Sequence, residues 1–104
     1  MEVSFLKEKT KLNYENDKWL DRSFGIDVRK GFKKFLEYAG VTDNLWMLYS
    51  TFRGLRIEYI KGSINPKLYS ARLNKDYRVE FIKENKIMKS QTEITIKRIH
   101  PHDY

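Results

Sequence analysis

The spacing of apolar positions changes once along this chain, at Gly54. Before it the spacing is helical. Val28, Phe32, Phe35, Leu36 and Ala39 fall on one stripe, and Arg29, Lys30, Lys33, Lys34 and Glu37 fill the other face. That pattern predicts a core-packing scaffold helix. Asp27 is placed to cap its start and Gly40 to end it in a left-handed conformation. Gly31 lies inside it, at a cost of about 1 kcal/mol relative to alanine. A second, shorter helix is predicted over Asn44 to Tyr49, capped by Asp43 and bearing Leu45, Trp46 and Leu48. Residues 1–6 read as a short strand with Val3 and Phe5 on one face, and residues 7–24 hold at most one short helix.

After Gly54 the period becomes two. Leu55, Ile57 and Tyr59 alternate with Arg56, Glu58 and Ile60. Gly62 to Pro66 is loop chemistry, and strands are predicted at Lys67 to Leu73, Tyr77 to Lys83 and Glu93 to Ile99. Glu84, Asn85 and Lys86 turn the chain between the last two. A strand, helices and then a meander imply a single α+β domain over residues 1–104, with helices on one face of an antiparallel sheet.

Asn74, Lys75 and Asp76 make a three-residue hairpin loop, which sets Leu73 opposite Tyr77. Ala71 then faces Val79 and Tyr69 faces Phe81, so the apolar side chains share one side of the sheet. The other side pairs Ser70 with Glu80 and Arg72 with Arg78. Like charges directly opposite each other are destabilising, so an anion is expected there. Glu80, diagonal to Arg72, is one candidate. A phosphate on an exposed face is the other, because a guanidinium fork suits phosphate oxygens. An exposed Arg78 implies that its truncation leaves stability nearly unchanged.

Charge sharpens this reading. The chain carries 21 basic and 14 acidic side chains, a net charge of +7. Thr51 to Arg78 alone holds seven basic residues (Arg53, Arg56, Lys61, Lys67, Arg72, Lys75, Arg78) against Glu58 and Asp76. Tyr59, Tyr69 and Tyr77 are interleaved with them, a mixture that suits stacking plus phosphate contact as in RNA binding. A plain solvated basic surface is the alternative. There is no cysteine, which excludes disulfides, thiolate metal sites and thiol catalysis. No apolar run approaches the roughly 18 residues of a membrane span, and charges break up MEVSFLKEKTKLNYE as they would not in a signal peptide. A small, basic, cytoplasmic protein is expected, with no cofactor, metal or membrane partner.

The two histidines lie in His100-Pro101-His102-Asp103-Tyr104. Imidazole is the side chain best suited to proton transfer near neutrality. The segment reads either as a solvated tail or as acid–base groups; it lacks zinc-site spacing. No phosphate-binding glycine loop, HExxH or nucleophile elbow is present.

Taken in order, the stretches Leu55-Arg56-Ile57-Glu58-Tyr59-Ile60-Lys61-Gly62, Leu68-Tyr69-Ser70-Ala71-Arg72-Leu73 and Asp76-Tyr77-Arg78-Val79-Glu80-Phe81, closing on His102-Asp103-Tyr104, resemble the RelE/HigB superfamily of toxins, and within it the HigB-like branch. The resemblance covers roughly residues 26–104. It implies a compact microbial RNase fold, with N-terminal helices packed on a curved antiparallel sheet. It further implies a type II toxin that cleaves messenger RNA on the ribosome, in contact with ribosomal RNA, and is neutralised by a cognate helix-turn-helix antitoxin. By position, Lys61 matches the lysine of the family's L-K-G stretch, Arg78 the arginine that contacts the scissile phosphate, and Arg72 a frequently basic strand position. Glu58 stands where HigB-like members often carry histidine, and the closing cluster reads His-Asp-Tyr rather than Asp-Tyr-His. Under this resemblance Lys61, Arg72 and Arg78 stabilise the phosphorane, with His102 or Glu58 as base and His100 or Tyr104 as acid. Arg53, Arg56 and Lys75 join Arg72 as RNA contacts. The competing reading is a basic RNA- or ribosome-binding module of the same fold without nuclease activity, whose main partner is the antitoxin.

Overall fold

The computed structural model describes residues 1–85 and 92–102. Strand β1 (Glu2–Phe5) leads into four helices, α1 (Glu8–Tyr14), α2 (Asp17–Phe24), α3 (Ile26–Gly40) and α4 (Leu45–Thr51). A 3-10 turn (Arg53–Leu55) then precedes β2 (Glu58–Tyr59), β3 (Leu68–Arg72), β4 (Tyr77–Asn85) and β5 (Thr92–Pro101). The strands form one sheet in the order β1-β5-β4-β3-β2. This is the expected α+β architecture, with one addition. β1 pairs parallel with β5, so the sheet is mixed rather than wholly antiparallel. The long helical excursion between them makes the parallel pairing possible.

Residues 7–24 form two helices, where at most one short helix was expected. Their own propensity is weak, and tertiary packing stabilises them. Asn16 caps α2 by accepting from the Trp19 N–H at 3.1 Å. The rings of Phe5, Trp19, Phe24 and Phe32 surround Tyr14 at centroid distances of 5.6–6.2 Å.

The α2–α3 junction is built on Gly25 rather than on Asp27. Its N–H closes α2 on Asp21 O at 3.0 Å, and its carbonyl accepts the first α3 bond from Arg29 at 3.2 Å. A φ of 101° leaves that double role to glycine. Asp27 lies in the first turn of α3, favourable to the helix dipole but not a cap. Gly40 is the last helical residue and the chain leaves through Val41 at φ −100°, so no left-handed cap forms. Asn44, not Asp43, caps α4, accepting from Met47 N–H at 2.9 Å. The strand expected from Leu55 shrinks to two residues, because Leu55 closes the 3-10 turn and Arg56 is left-handed at φ 45°.

Val28, Phe32 and Phe35 of α3 pack with Val79, Phe81, Ile94 and Ile96 of the sheet, all fully buried. Gly31 is required by this contact. A Cβ there would overlap the Leu73 carbonyl oxygen and stand 3.0 Å from the Leu73 Cα. The helix therefore gives up propensity so that α3 can lie against the β3–β4 hairpin.

That hairpin has the predicted register, with Tyr69 opposite Phe81, Ser70 opposite Glu80, Ala71 opposite Val79 and Arg72 opposite Arg78. The Asn74 side chain holds the loop by accepting from the N–H groups of Asp76 (2.9 Å) and Tyr77 (2.8 Å). Glu84 and Asn85, expected in a turn, belong to β4, and Lys86 lies outside the described residues.

β5 carries a bulge. Glu80 pairs with Arg98 but Phe81 pairs with Ile96, which leaves Lys97 as the extra residue. Ile94, Ile96 and Ile99 can therefore all face the core, although their spacing breaks from two to three. Arg98 and His100 are turned to the opposite face. β1 ends at Phe5, short of this bulge, and the Tyr14 hydroxyl takes over by accepting the buried Ile99 N–H at 2.8 Å.

Gly31→Ala lowers stability by about 1–3 kcal/mol in chemical denaturation, although alanine is the better helix former. Tyr14→Phe costs about 1–3 kcal/mol by orphaning the Ile99 N–H. Burial also pushes the Tyr14 phenol above its ordinary pKa, against a smaller opposing effect of the Ile99 hydrogen bond. The unfolded chain then loses this proton first, so wild-type stability declines as pH rises past about 10, more steeply than that of Tyr14→Phe.

Candidate functional site

The sheet face away from the helices carries polar side chains in two rows across the strands. In one, Glu58 lies opposite Ser70, Ser70 opposite Glu80 and Glu80 opposite Arg98. In the other, Arg72 lies opposite Arg78 and Arg78 opposite His100. The β5 bulge completes both rows.

Arg78 is not exposed, contrary to the sequence expectation: only 6% of its surface is accessible. Its Nε donates to Ser70 Oγ at 2.8 Å, and one terminal nitrogen donates to the carbonyls of Ser70 (3.2 Å) and Arg56. The other lies 3.8 Å from a Glu58 carboxylate oxygen. The cause is local. Ser70 is small enough to admit the guanidinium beneath β2, and left-handed Arg56 turns its carbonyl to meet it. A left-handed non-glycine residue costs about 1–3 kcal/mol, which this bond helps to offset.

The two paired arginines diverge. Arg72 turns toward the hairpin loop, where its Nε donates to Asn74 O at 3.3 Å. Glu80 accepts from Arg98 Nε, so the carboxylate considered as a partner for Arg72 is engaged by a residue of β5 instead. Mutual repulsion is thus relieved by geometry.

Two clefts open on this face. The first, of about 460 Å3, includes Glu58, Lys61, Arg78, Arg98, His100 and His102 in its lining. The second, of about 410 Å3, includes Arg56, Glu58, Arg72, Lys75, Arg78 and His102. Glu58, Arg78 and His102 line both, so the two clefts share these three residues. His100 is half-buried opposite Arg78, and the His102 backbone N–H is tied to Asp76 O at 2.8 Å. His100 and Pro101 therefore belong to the sheet and His102 is anchored just beyond it, so these residues are not a solvated tail.

The structure thus gathers Glu58, Lys61, Arg78, His100 and His102 with Arg56, Arg72 and Lys75. It does not bring Arg53 to either cleft; that residue is exposed on the 3-10 turn. Tyr104 lies outside the described residues. Sequence reasoning missed Arg98 and the anchoring role of Ser70. The break in isoleucine spacing before Ile99 is the signal that would have found Arg98. Among the described residues, no group of three or more His, Cys, Asp or Glu could hold a metal ion. No helix among them is long and apolar enough to cross a membrane.

The sequence matches no family model and no curated protein. Among solved structures, a YoeB/ParE toxin from Agrobacterium tumefaciens is similar, with a TM-score of 0.62 at 16% identity over 99% of this chain and 100% of that one. At that identity the likeness is one of fold, and it spans both the helical layer and the whole sheet.

Removing the Arg78 head leaves Ser70 and the strained Arg56 carbonyl without their donor. Arg78→Ala is expected to lose about 2–3 kcal/mol in urea denaturation. Lys61→Ala, at an exposed position, should stay within about 0.5 kcal/mol of wild type.

Proposed function

We propose that the protein is the toxin of a type II toxin–antitoxin system, of the HigB-like kind, and cleaves messenger RNA on the ribosome with its own acid–base groups. The observation that carries this reading is the shared lining: a carboxylate and an imidazole line both clefts together with a guanidinium whose position is held by three hydrogen bonds. The fold shared with a YoeB/ParE toxin supports it, as does the net charge of +7.

Strand cleavage moves the 2′-hydroxyl proton to a base, forms the 2′-oxygen–phosphorus bond, and breaks the bond to the 5′-oxygen, which takes up a proton. In this reading Glu58 accepts the first proton and His102 supplies the second. His100 on β5, opposite Arg78 of β4, brings a further imidazole to the first cleft. Arg78 and Lys61 stabilise charge on the phosphorane, often the largest contribution in such sites. The hydrogen bonds that hold Arg78 make it a preorganised charge, which needs no rearrangement as the transition state forms. Arg72, Arg56 and Lys75 in the second cleft hold the adjoining RNA backbone, and ribosomal RNA is a second polyanion for the same surface. The cluster is sparse, so alignment of the 2′-hydroxyl falls to the ribosome. The antitoxin, a helix-turn-helix protein, neutralises the toxin in the cytoplasm by covering the basic face.

Induction in growing cells, followed by mapping of transcript ends, tests this directly. Codon-phased cuts are expected. His102→Gln should reduce cleavage about 10²–10⁴-fold with stability unchanged, and Glu58→Gln should reduce it as far while also lowering stability, because it removes the anion beside the buried Arg78. Growth arrest without cuts would instead establish the RNA- or ribosome-binding module without nuclease activity.

A further inference from the structure

A third depression, of about 350 Å3, lies between α4 and β2, with Trp46, Tyr49, Ile57, Tyr59, Tyr69 and Lys83 in its lining. Its outer wall is unusual for a protein surface. Trp46 is 70% exposed and Tyr49 46% exposed, and their rings lie 5.8 Å apart. Tyr59 and Tyr69 face each other across β2 and β3, with centroids 5.8 Å apart, and the Tyr59 hydroxyl is fixed by donating to Ser63 O. Among the described residues no acidic side chain lines the groove, and Lys83 supplies a cation.

The groove is continuous with the site described above. Tyr59 lines both it and the first cleft, because β2 is a two-residue strand at the edge of the sheet. Glu58 lines the cleft and the next residue, Tyr59, borders the groove. A phosphate held near Lys61 and Arg78 therefore has planar aromatic walls around the edge strand β2, on the helix side of the sheet, with Tyr59 at the edge common to both.

We propose that this groove is a nucleobase subsite, in which an unpaired base of the RNA strand stacks on Trp46, Tyr49 and Tyr59 while its phosphate occupies the cleft. The inference rests on the nuclease reading only for the strand in the cleft, and it assigns the groove to RNA. Two features favour a base over an acidic peptide segment. The walls are flat rings, which stack on any base, and a repeating phosphate-and-base polymer matches a cationic cleft beside an aromatic groove.

Fluorescence anisotropy with two end-labelled probes tests it on the full chain at fixed salt. One is a single-stranded mixed-sequence hexaribonucleotide; the other is the same backbone without bases. The wild type is expected to bind the base-bearing probe about tenfold more tightly. Trp46→Ala should abolish that preference, Trp46→Phe should keep most of it, and Lys61→Ala should weaken both probes alike. Equal binding of the two probes by wild type, or a preference unchanged in Trp46→Ala and Tyr49→Ala, overturns the subsite and leaves the groove to a protein partner. Absence of saturable binding to the hexamer overturns it as well. A base preference that persists in a protein making no transcript cuts would refute the nuclease reading and not the subsite.

Discussion

The buried guanidinium of Arg78 is the interaction on which the polar face depends. It fastens β4 to β3 through Ser70 and fastens the chain ahead of β2 through the Arg56 carbonyl. β2 has only two residues and pairs on one side only, so it has little holding power of its own. The guanidinium supplies what a longer ladder would have supplied. A charge this deep is tolerable only when its donors are satisfied and an anion is near, and Glu58 meets the second condition at 3.8 Å. On the proposed function, stability and chemistry are thereby joined in one side chain. A neutral replacement disturbs the wall of the site as well as its charge, so a loss of activity in such a variant must be read beside its unfolding curve.

The second constraint is the bulge in β5. A regular strand ending in Ile-Thr-Ile-Lys-Arg-Ile-His would turn either Ile99 or Ile96 outward. One extra residue at Lys97 lets both remain in the core and also changes which face receives Arg98 and His100. Core packing and site assembly are satisfied by the same irregularity. The Tyr14 hydroxyl, which accepts the Ile99 N–H, ties that irregularity to the helical layer. The aromatic cluster of the first two helices thus reaches the site through the backbone of a single residue.

Much of this was legible in the chain before any coordinates. The three-residue loop at Asn74, Lys75 and Asp76 determined the β3–β4 register, and with it the Arg72–Arg78 pair, because period-two patterning tolerates no slip. The α3 stripe was equally plain. Three things were not. The helices in residues 7–24 are short and polar and depend on rings brought from elsewhere in the chain. The burial of Arg78 depends on a left-handed Arg56, and no local preference announces that conformation. The parallel β1–β5 pair joins residues about ninety positions apart, and strand patterning alone does not say which edge a first strand will take.

The distribution of charge on the open face bears on what it can accept. Glu80 is engaged by Arg98, so neither contributes much net field. Glu58 lies against Arg78 and partly cancels it. What remains are the flanking cations Lys61, Arg56, Arg72 and Lys75, around a centre where the Glu58 carboxylate offsets the Arg78 guanidinium and the His102 imidazole lies beside them. Flanking charge attracts and orients a polyanion, whereas a strongly cationic centre would hold a phosphate too firmly to favour its transition state over its ground state. On the proposed function, the arrangement separates binding from chemistry. In that reading the rim engages the backbone of the RNA, and Glu58, Arg78 and His102 meet a single linkage, where a proton acceptor and a proton donor beside a fixed positive charge are what strand cleavage requires.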